Sequence, residues 1–372
     1  YQILYATDWY LRHELIMGAT VDNELDQSKL EAFAGNLFGH TVGAVTIACI
    51  EMARRLGFYE HLSSRPAMSA DTLSALANTH PRLTRELLDQ QVSSSILTYD
   101  QQSDEYALSA EGAAVIADQH SPAWMMGAVM ATCAMYLGHD KVESAFRGDG
   151  GMPWGDHAPC LFCGTGEFFR PVYEHSLIQQ FMPALSGGEG RFSKGAVVAD
   201  IGCGGGVSTL TLADAYPQSH FIGMDFHAPS IVEANEAAAE KGLSNAEFAL
   251  ATAKDYSGEY DLICFFDCLH DMGDPVGIAS YARDHLKPGG SIMLIEPFAF
   301  DSRMQNHEGL GAAFFGFSSF FCVPCSLSQE VGRGMGSQSG EAGMRGVFEE
   351  AGFGKFSRIA ETPNNIVYEA TP

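Results

Sequence analysis

The sequence predicts an α/β fold, a doubly wound and mostly parallel seven-stranded sheet, preceded by a mostly helical N-terminal domain. Three observations carry this. From about residue 191 onward, short apolar runs alternate with helical stretches, which implies right-handed crossovers between parallel strands. Within that region Val197–Val198–Ala199 ends at Asp200, a glycine turn follows through Gly202 and Gly204, and a second apolar run from Phe221 stops at Asp225. Strand, glycine turn, helix and acid-terminated strand form a nucleotide-binding βαβ unit, in which the acid can hold a ribose diol. Before residue 120 the strand signals are confined to two short segments.

The elements follow in order. Residues 1–35 read as helical, with Tyr5, Trp9, Tyr10, Leu11 and Leu15 on one apolar face. Residues 37–57 (LFGHTVGAVTIACIEMARRLG) form a strongly apolar helix stopped at Gly57. A helix this apolar is buried or paired with a second copy, so a homodimer is expected. Ser69 caps a helix reaching Ala77, and Pro81 opens another reaching Val92. Segments 96–99 and 106–108 flank the polar DQQSDE as a hairpin, and Ser109 caps a further helix. Helix, helix, hairpin is the winged-helix pattern, assigned here to residues 1–120.

Residues 121–190 read as helical linker, rich in Met and aromatics and broken by the loop GDGGMPWGDHAP. Residues 191–372 carry the sheet, with strands expected at 196–200, 221–225, 246–250, 260–266, 291–296, 356–361 and 365–370. Residues 298–345 interrupt this rhythm with a Phe- and Gly-rich stretch that reads as an inserted lid or substrate-lining helix.

Charge excludes several functions. There are 46 Asp and Glu against 21 Lys and Arg, a formal net charge of −25. Between His61 and His120 the basic residues are Arg65, Arg82 and Arg85 against eight acids, too few cations for a DNA-reading helix. Neither nucleic acid nor an anionic membrane is an expected partner. No run of about 18 uncharged apolar residues is read as a membrane span, and no basic region precedes an apolar one as in a signal peptide.

The nine cysteines are odd in number and scattered through apolar segments, which points to free thiols in a reducing compartment, cytoplasmic or another. The sequence opens on Tyr1 rather than Met, so organellar targeting stays open. Two CxxC pairs, Cys160/Cys163 and Cys322/Cys325, have the spacing of half zinc sites. Each sits in an apolar segment without knuckle glycines, so both read as packing, and no metal is expected.

The glycine turn decides which nucleotide. The dinucleotide fingerprint needs a third glycine where Val207 stands, and its pyrophosphate needs a receptive helix N-terminus. Asp200 precedes the turn instead, as though a cation were received. D-x-G-x-G with the following acid, then YDLIC running into FFDCLHDMGDP, then HLKPGG before SIMLIEP, resembles the class I S-adenosylmethionine (SAM) methyltransferases. SLSQEVGRGMGSQSGE and EAGF narrow the resemblance to small-molecule methyltransferases with an N-terminal winged helix, a group with mycobacterial and nematode members.

The resemblance implies SAM as cofactor, a dimerising winged helix and a linker that roofs the active site. It implies that Asp200, Gly202 and Gly204 line the methionine side of SAM, that Asp225 binds its ribose and that Phe226 covers adenine. Thr252, with Ala253 beside it, stands where the family usually places an Asp for the adenine amino group, and Asp267 is expected near the cofactor. His270 follows the fourth strand at the sheet's carboxyl edge and is a candidate general base, with a scaffold role, hydrogen-bonded to Asp271 or Asp274, as the alternative. Tyr136 is a second catalytic candidate, for orienting the acceptor. Arg170 is the candidate cation for a substrate carboxylate, unless it only pairs with Glu167 or Glu174. Phe314 and Phe321 belong to an aromatic acceptor lining suited to soft or cationic centres.

The leading expectation is methyl transfer to a small-molecule acceptor with a sulfur centre, as in sulfonium osmolyte synthesis. The alternative is O-methyl transfer with His270 as base. A non-enzymatic SAM-binding winged-helix regulator and an NAD(P) oxidoreductase are the competing classes, disfavoured by the missing basic face and by Val207.

Overall fold

A computed structural model describes residues 25–372. The helical expectation for Tyr5 to Leu15 lies outside the described residues. The chain divides into two compact units with the boundary after Ala113.

In the first unit the described residues begin with a helix, Gln27–Arg55. Asp26 caps it by accepting from the Ser28 and Lys29 amides at 3.0 and 3.3 Å, and Arg54 and Arg55 complement its C-terminal dipole. Gly57 follows with φ 71°, the left-handed stop that a glycine tolerates. Ile50 and Ala53 are this helix's buried residues, while Leu30, Phe33, Leu37, Val42, Val45 and Met52 are exposed.

That helix is long and apolar enough to cross a membrane by length and composition. Residues 32–50 contain no Asp, Glu, Lys or Arg, which corrects the reading that no such run exists. Interspersed Gly35, Asn36, Gly39 and His40 disguise it.

Helices Phe58–Ser63, Ala70–Leu76 and Pro81–Ser93 follow. Strand β1 (Thr98–Asp100) pairs antiparallel with β2 (Glu105–Ala107), and a bridge from Met68 to Tyr106 widens the wing. Tyr59 and Tyr106 are buried and donate to Gln91 and Asp89, each at 2.6 Å, so the small core holds no idle hydroxyl there.

In the second unit seven strands form one sheet: β3 (Val197–Ile201), β4 (His220–Asp225), β5 (Ala246–Leu250), β6 (Tyr260–Phe266), β7 (Leu286–Pro297), β8 (Lys355–Glu361) and β9 (Asn365–Thr371). Their order is β5-β4-β3-β6-β7-β9-β8, parallel except for β9, which runs antiparallel to both neighbours. The middle strand β6 alternates from Leu262 onward. Leu262, Cys264 and Phe266 enter one core with Phe181, Leu212 and Phe221, while Ile263 and Phe265 enter the other with Phe348 and Tyr368. Both faces are covered, as a parallel sheet requires.

This order places the carboxyl ends of β3, β4, β6 and β7 side by side, and all four end at or beside an acid: Asp200, Asp225, Asp267 and Glu296. Over that edge lie Met126–Leu137, Pro159–Val172 and Gly311–Phe317, the last two continuing through wider π-type turns. The 298–345 insertion thus lays its aromatic helix along the site, as Phe314, Phe317 and Phe321 line a cavity there.

Candidate active site

The site grows from the βα turn after β3. Gly202 has φ 77°, and a Cβ there would stand 2.9 Å from Cys268 Sγ, so backbone conformation and space both require glycine. Gly204 has φ 52°, and open space surrounds the position its Cβ would take. Its amide donates to Asp225 Oδ2 at 3.0 Å, and the His227 amide donates to Oδ1 at 2.8 Å. Both carboxylate oxygens are thus fixed and keep lone pairs for a ligand. Burial nevertheless pushes the Asp225 pKa up.

A cavity of about 410 Å³ opens over this turn. Gly202, Gly204, Asp225, Phe226, Thr252, Ala253 and Asp267 all line it. Phe226 keeps 55% of its surface exposed, an unsatisfied ring face at the cavity rim. Asp200 does not line it. It is buried beneath the turn, accepting from the Ser208 and Thr209 hydroxyls at 2.6 Å each, and burial raises its pKa to about 6. Its role here is to fasten the turn to the following helix, which corrects its assignment to the cavity wall.

Asp267 has φ 52°, unusual for a residue with a side chain and worth noting at a site. Tyr173 donates to its Oδ2 at 2.9 Å and Asn365 to its Oδ1 at 2.7 Å. Burial, then the charge of Glu296, holds the Asp267 pKa well above the usual carboxylate range. With Trp154, Thr165, Phe169 and Asp271, Asp267 belongs to the wall shared with a second cavity of about 70 Å³.

That smaller cavity is lined by His270, Phe314 and Phe321, and by Cys322 and Ser337. His270 is 3% exposed. Its Nδ1 contacts Glu296 Oε2 in a short hydrogen bond, and its Nε2 lies 3.0 Å from Asp271 Oδ1. Burial works against a charged ring, but Asp271 and Glu296 outweigh it and hold the imidazole pKa well above its usual value. Asp271 and Glu296 thus favour the protonated form of the His270 ring.

Two candidates fall elsewhere. Tyr136 is 57% exposed, stacks on His139 and lines neither cavity, because its turn of the helix faces away. Arg170 also lines neither: its guanidinium is occupied by Glu167 at 2.7 Å and Glu174 at 3.3 Å. It is the structural pairing that i+3 and i+4 spacing allows. Sequence reasoning missed Tyr173, Glu296 and Asn365, and read Cys322 only as packing. The acid ending β7, in LIEP, repeats the signal that singled out Asp225, and was available.

The large cavity fits a nucleoside carrying positive charge rather than a pyrophosphate. Asp225, Asp267 and Asp271 line it, and Lys254, the cation on its described wall, is engaged with Asp274 at 2.9 Å.

Comparison with known proteins agrees. A family model described as a methyltransferase domain matches residues 192–318, and one described as an Rv2258c-like winged HTH domain matches residues 43–118. The chain is 30% identical over 106 residues to trans-aconitate 2-methyltransferase of Deinococcus radiodurans, covering 28% of this chain and 40% of the relative. It is 30% identical over 142 residues to ubiquinone biosynthesis O-methyltransferase of Methylococcus capsulatus, covering 37% of this chain and 57% of the relative. These matches therefore span about half the length of the curated relatives.

In fold the chain is similar to mitomycin 7-O-methyltransferase MmcR, with a TM-score of 0.68 at 19% identity, covering 93% of this chain and 100% of the other. It is also similar to human N-acetylserotonin methyltransferase in complex with SAM, with a TM-score of 0.65 at 17% identity, covering 94% and 99%. With a glycine turn, a ribose-competent acid and a seven-stranded sheet of this order in hand, the chain carries a methyltransferase domain behind a winged-helix domain.

Proposed function

We propose that the protein transfers the methyl group of SAM to a hydroxyl of a small, largely apolar molecule. The observation that carries this is the pair of adjoining cavities, one acidic with a nucleoside cradle and one aromatic, meeting at Asp267 and Asp271. In this reading Asp225 holds the ribose diol, Phe226 covers adenine, and the wall at Thr252 and Ala253 receives its edge. The acidic lining suits a cofactor whose amino and sulfonium groups are cationic.

Bound SAM supplies an electrophilic methyl on sulfur; the chain's own work is alignment and proton handling. Phe314, Phe317 and Phe321 exclude water and hold the acceptor flat. At 70 Å³ the inner cavity admits only the reacting end of an acceptor. His270 acts as base only after losing a proton. An acceptor hydroxyl displacing Asp271 from Nε2 leaves the Glu296–His270 pair, an imidazole of raised basicity, against the hydroxyl.

The names of relatives favour oxygen. Ubiquinone biosynthesis and mitomycin enzymes are both named as O-methyltransferases. The sulfur acceptor rests on the aromatic lining alone, which serves a flat hydroxylated ring equally well. The exposed apolar face of Gln27–Arg55 is read as a homodimer contact.

The test is incubation with labelled SAM and a panel of phenolic, enolic, thiol and thioether acceptors. Label transferred to hydroxyls supports the reading. Transfer confined to thiols or thioethers replaces it with the sulfur one, and absence of SAM binding by calorimetry removes both.

A further inference from the structure

Three successive main-chain carbonyls, those of Asp271, Met272 and Gly273, accept hydrogen bonds from one short segment, residues 326–333. The Gln329 side-chain amide donates to Asp271 at 3.0 Å, the Ser326 hydroxyl to Met272 at 3.0 Å and the Arg333 main-chain amide to Gly273 at 2.9 Å. In return the Gly273 amide donates to Gln329 Oε1 at 2.9 Å. The two stretches touch so closely that a Cβ on Gly273 would stand 2.5 Å from the Gln329 Cβ and 2.8 Å from the Glu330 carbonyl oxygen. Only glycine lets the backbones approach this far.

The clasped stretch begins in the turn Leu269–Asp271, which carries the candidate base. Fixing the Asp271 main chain fixes where its carboxylate can reach, and that carboxylate stands 3.0 Å from His270 Nε2. The clasping segment prolongs the aromatic helix, since Gly311–Phe317, Ser318–Cys322 and Val323–Leu327 follow one another without a break. Phe314 and Phe321 of that helix line the inner cavity. Gln329 Nε2 donates also to the carbonyl of Cys325, in the helix's last turn, at 3.1 Å. One amide group therefore joins the acceptor wall to the turn that carries the base.

Ser326 is fully buried, whereas Gln329 is an exposed residue. Both ends of its amide nevertheless turn inward to main chain, which costs side-chain freedom that a solvated glutamine would keep. Arg333 lends only its backbone to the clasp, its guanidinium being paired with Glu350 at 2.7 Å.

We propose that the Gln329 side chain is a positioning group that holds the turn of His270 and Asp271 in register with the aromatic wall, so that an acceptor seated on that wall meets the imidazole in line. The catalytic consequence rests on His270 acting as base; the clasp itself does not. Asp271 and Glu296 face the two ring nitrogens, and Asp267, Cys268 and Cys322 are the other titratable groups that act on the ring or are acted on by it. Of these, Asp271 is the one that Gln329 fastens. Its charge favours the protonated ring, so loosening it lets the imidazole pKa fall toward the ordinary value.

The test uses the full-length protein with ¹³C-labelled histidine, titrated by NMR without SAM or acceptor, the His270 signal being identified by its loss in His270→Gln. Gln329→Met keeps the side chain's bulk and removes its hydrogen bonds. It should lower the His270 pKa, by less than Asp271→Asn does. With an acceptor in hand, kcat should fall roughly 10–10²-fold with KM changing less, as for a catalytic group displaced by about 1 Å. The basic limb of the rate should move to lower pH alongside. A purely structural clasp would lower the unfolding temperature and leave the His270 pKa and the rate limb unmoved, and that result overturns the proposal. A Gln329→Met chain that fails to fold also overturns it, because this exposed residue would then hold the fold and not the turn. A lowered His270 pKa in a protein that transfers no methyl to hydroxyls leaves the positioning role standing and removes the O-methyl reading instead.

Discussion

Tyr173 donates its hydroxyl to Asp267 at 2.9 Å, joining residues 94 apart in sequence at the wall common to both cavities. The tyrosine is buried, and the aspartate has a second donor in Asn365. Tyr173→Phe keeps the packing and removes one hydrogen bond to a buried carboxyl of raised pKa, so a stability loss of about 0.5–1.5 kcal/mol is expected. Thermal unfolding reads this, and kcat/KM should fall with it. A variant as stable and active as the parent would show that Asn365 alone fixes Asp267.

Asp225→Ala should weaken SAM binding by about 1.5–3 kcal/mol, since a charged acceptor is lost to the ribose. Calorimetry checks the value. A conserved affinity would move the ribose elsewhere in the cavity.

His270 carries a pH prediction of definite sign. Its folded pKa is raised by Asp271 and Glu296, so the stability it contributes is full below its unfolded pKa and is lost as pH rises through the folded value. A rate that needs neutral imidazole should keep rising with pH above the usual histidine range. Asp271→Asn should shift that limb toward lower pH, and His270→Ala should cost roughly 10²–10⁴ in kcat. A rate limb unmoved by Asp271→Asn would remove His270 as the titrating base.

His157 has the opposite sign. Burial lowers its pKa to about 4, and it packs edge-on against Trp154 and Phe321. The unfolded chain takes up its proton near the ordinary value of about 6.5, so stability should fall as pH drops from there toward 4. His157→Phe should flatten that acid limb while keeping the aromatic contacts. Parallel denaturation curves for parent and variant across this range would assign the limb to other groups.

The apolar helix Gln27–Arg55 exposes Phe33 and Leu37. A dimer at micromolar concentration is expected by sedimentation, and Phe33→Asp should shift it toward monomer. A monomeric parent would leave that face to another partner.

Much of the sheet was legible because the central parallel strands are apolar runs ending at or beside an acid, and burial on both faces leaves little ambiguity there. The cofactor turn was legible for a local reason: its glycines, Asp225 and Phe226 lie within one βαβ unit. Asp200 shows the limit. The same spacing allows a wall position and a buried anchor, and only the hydroxyls of Ser208 and Thr209 decide between them. Arg170 had acids at both helical neighbours, so its pairing was readable, whereas the outward turn of Tyr136 was not. Tyr173, Asn365 and Cys322 reach the site from distant segments, and no spacing rule links them to Asp267 or His270.

Strand β9 lies between β7 and β8, and its first residue, Asn365, grips Asp267. A ribosome delivers β3 through β7 long before it delivers residue 365. Until then β7 presents an unpaired edge and Asp267 lacks its second donor, so a nascent or prematurely stopped chain holds the cofactor turn without a finished reaction chamber. Competence for chemistry therefore arrives late in synthesis, and chaperones that shield an open sheet edge matter most to this protein in that interval.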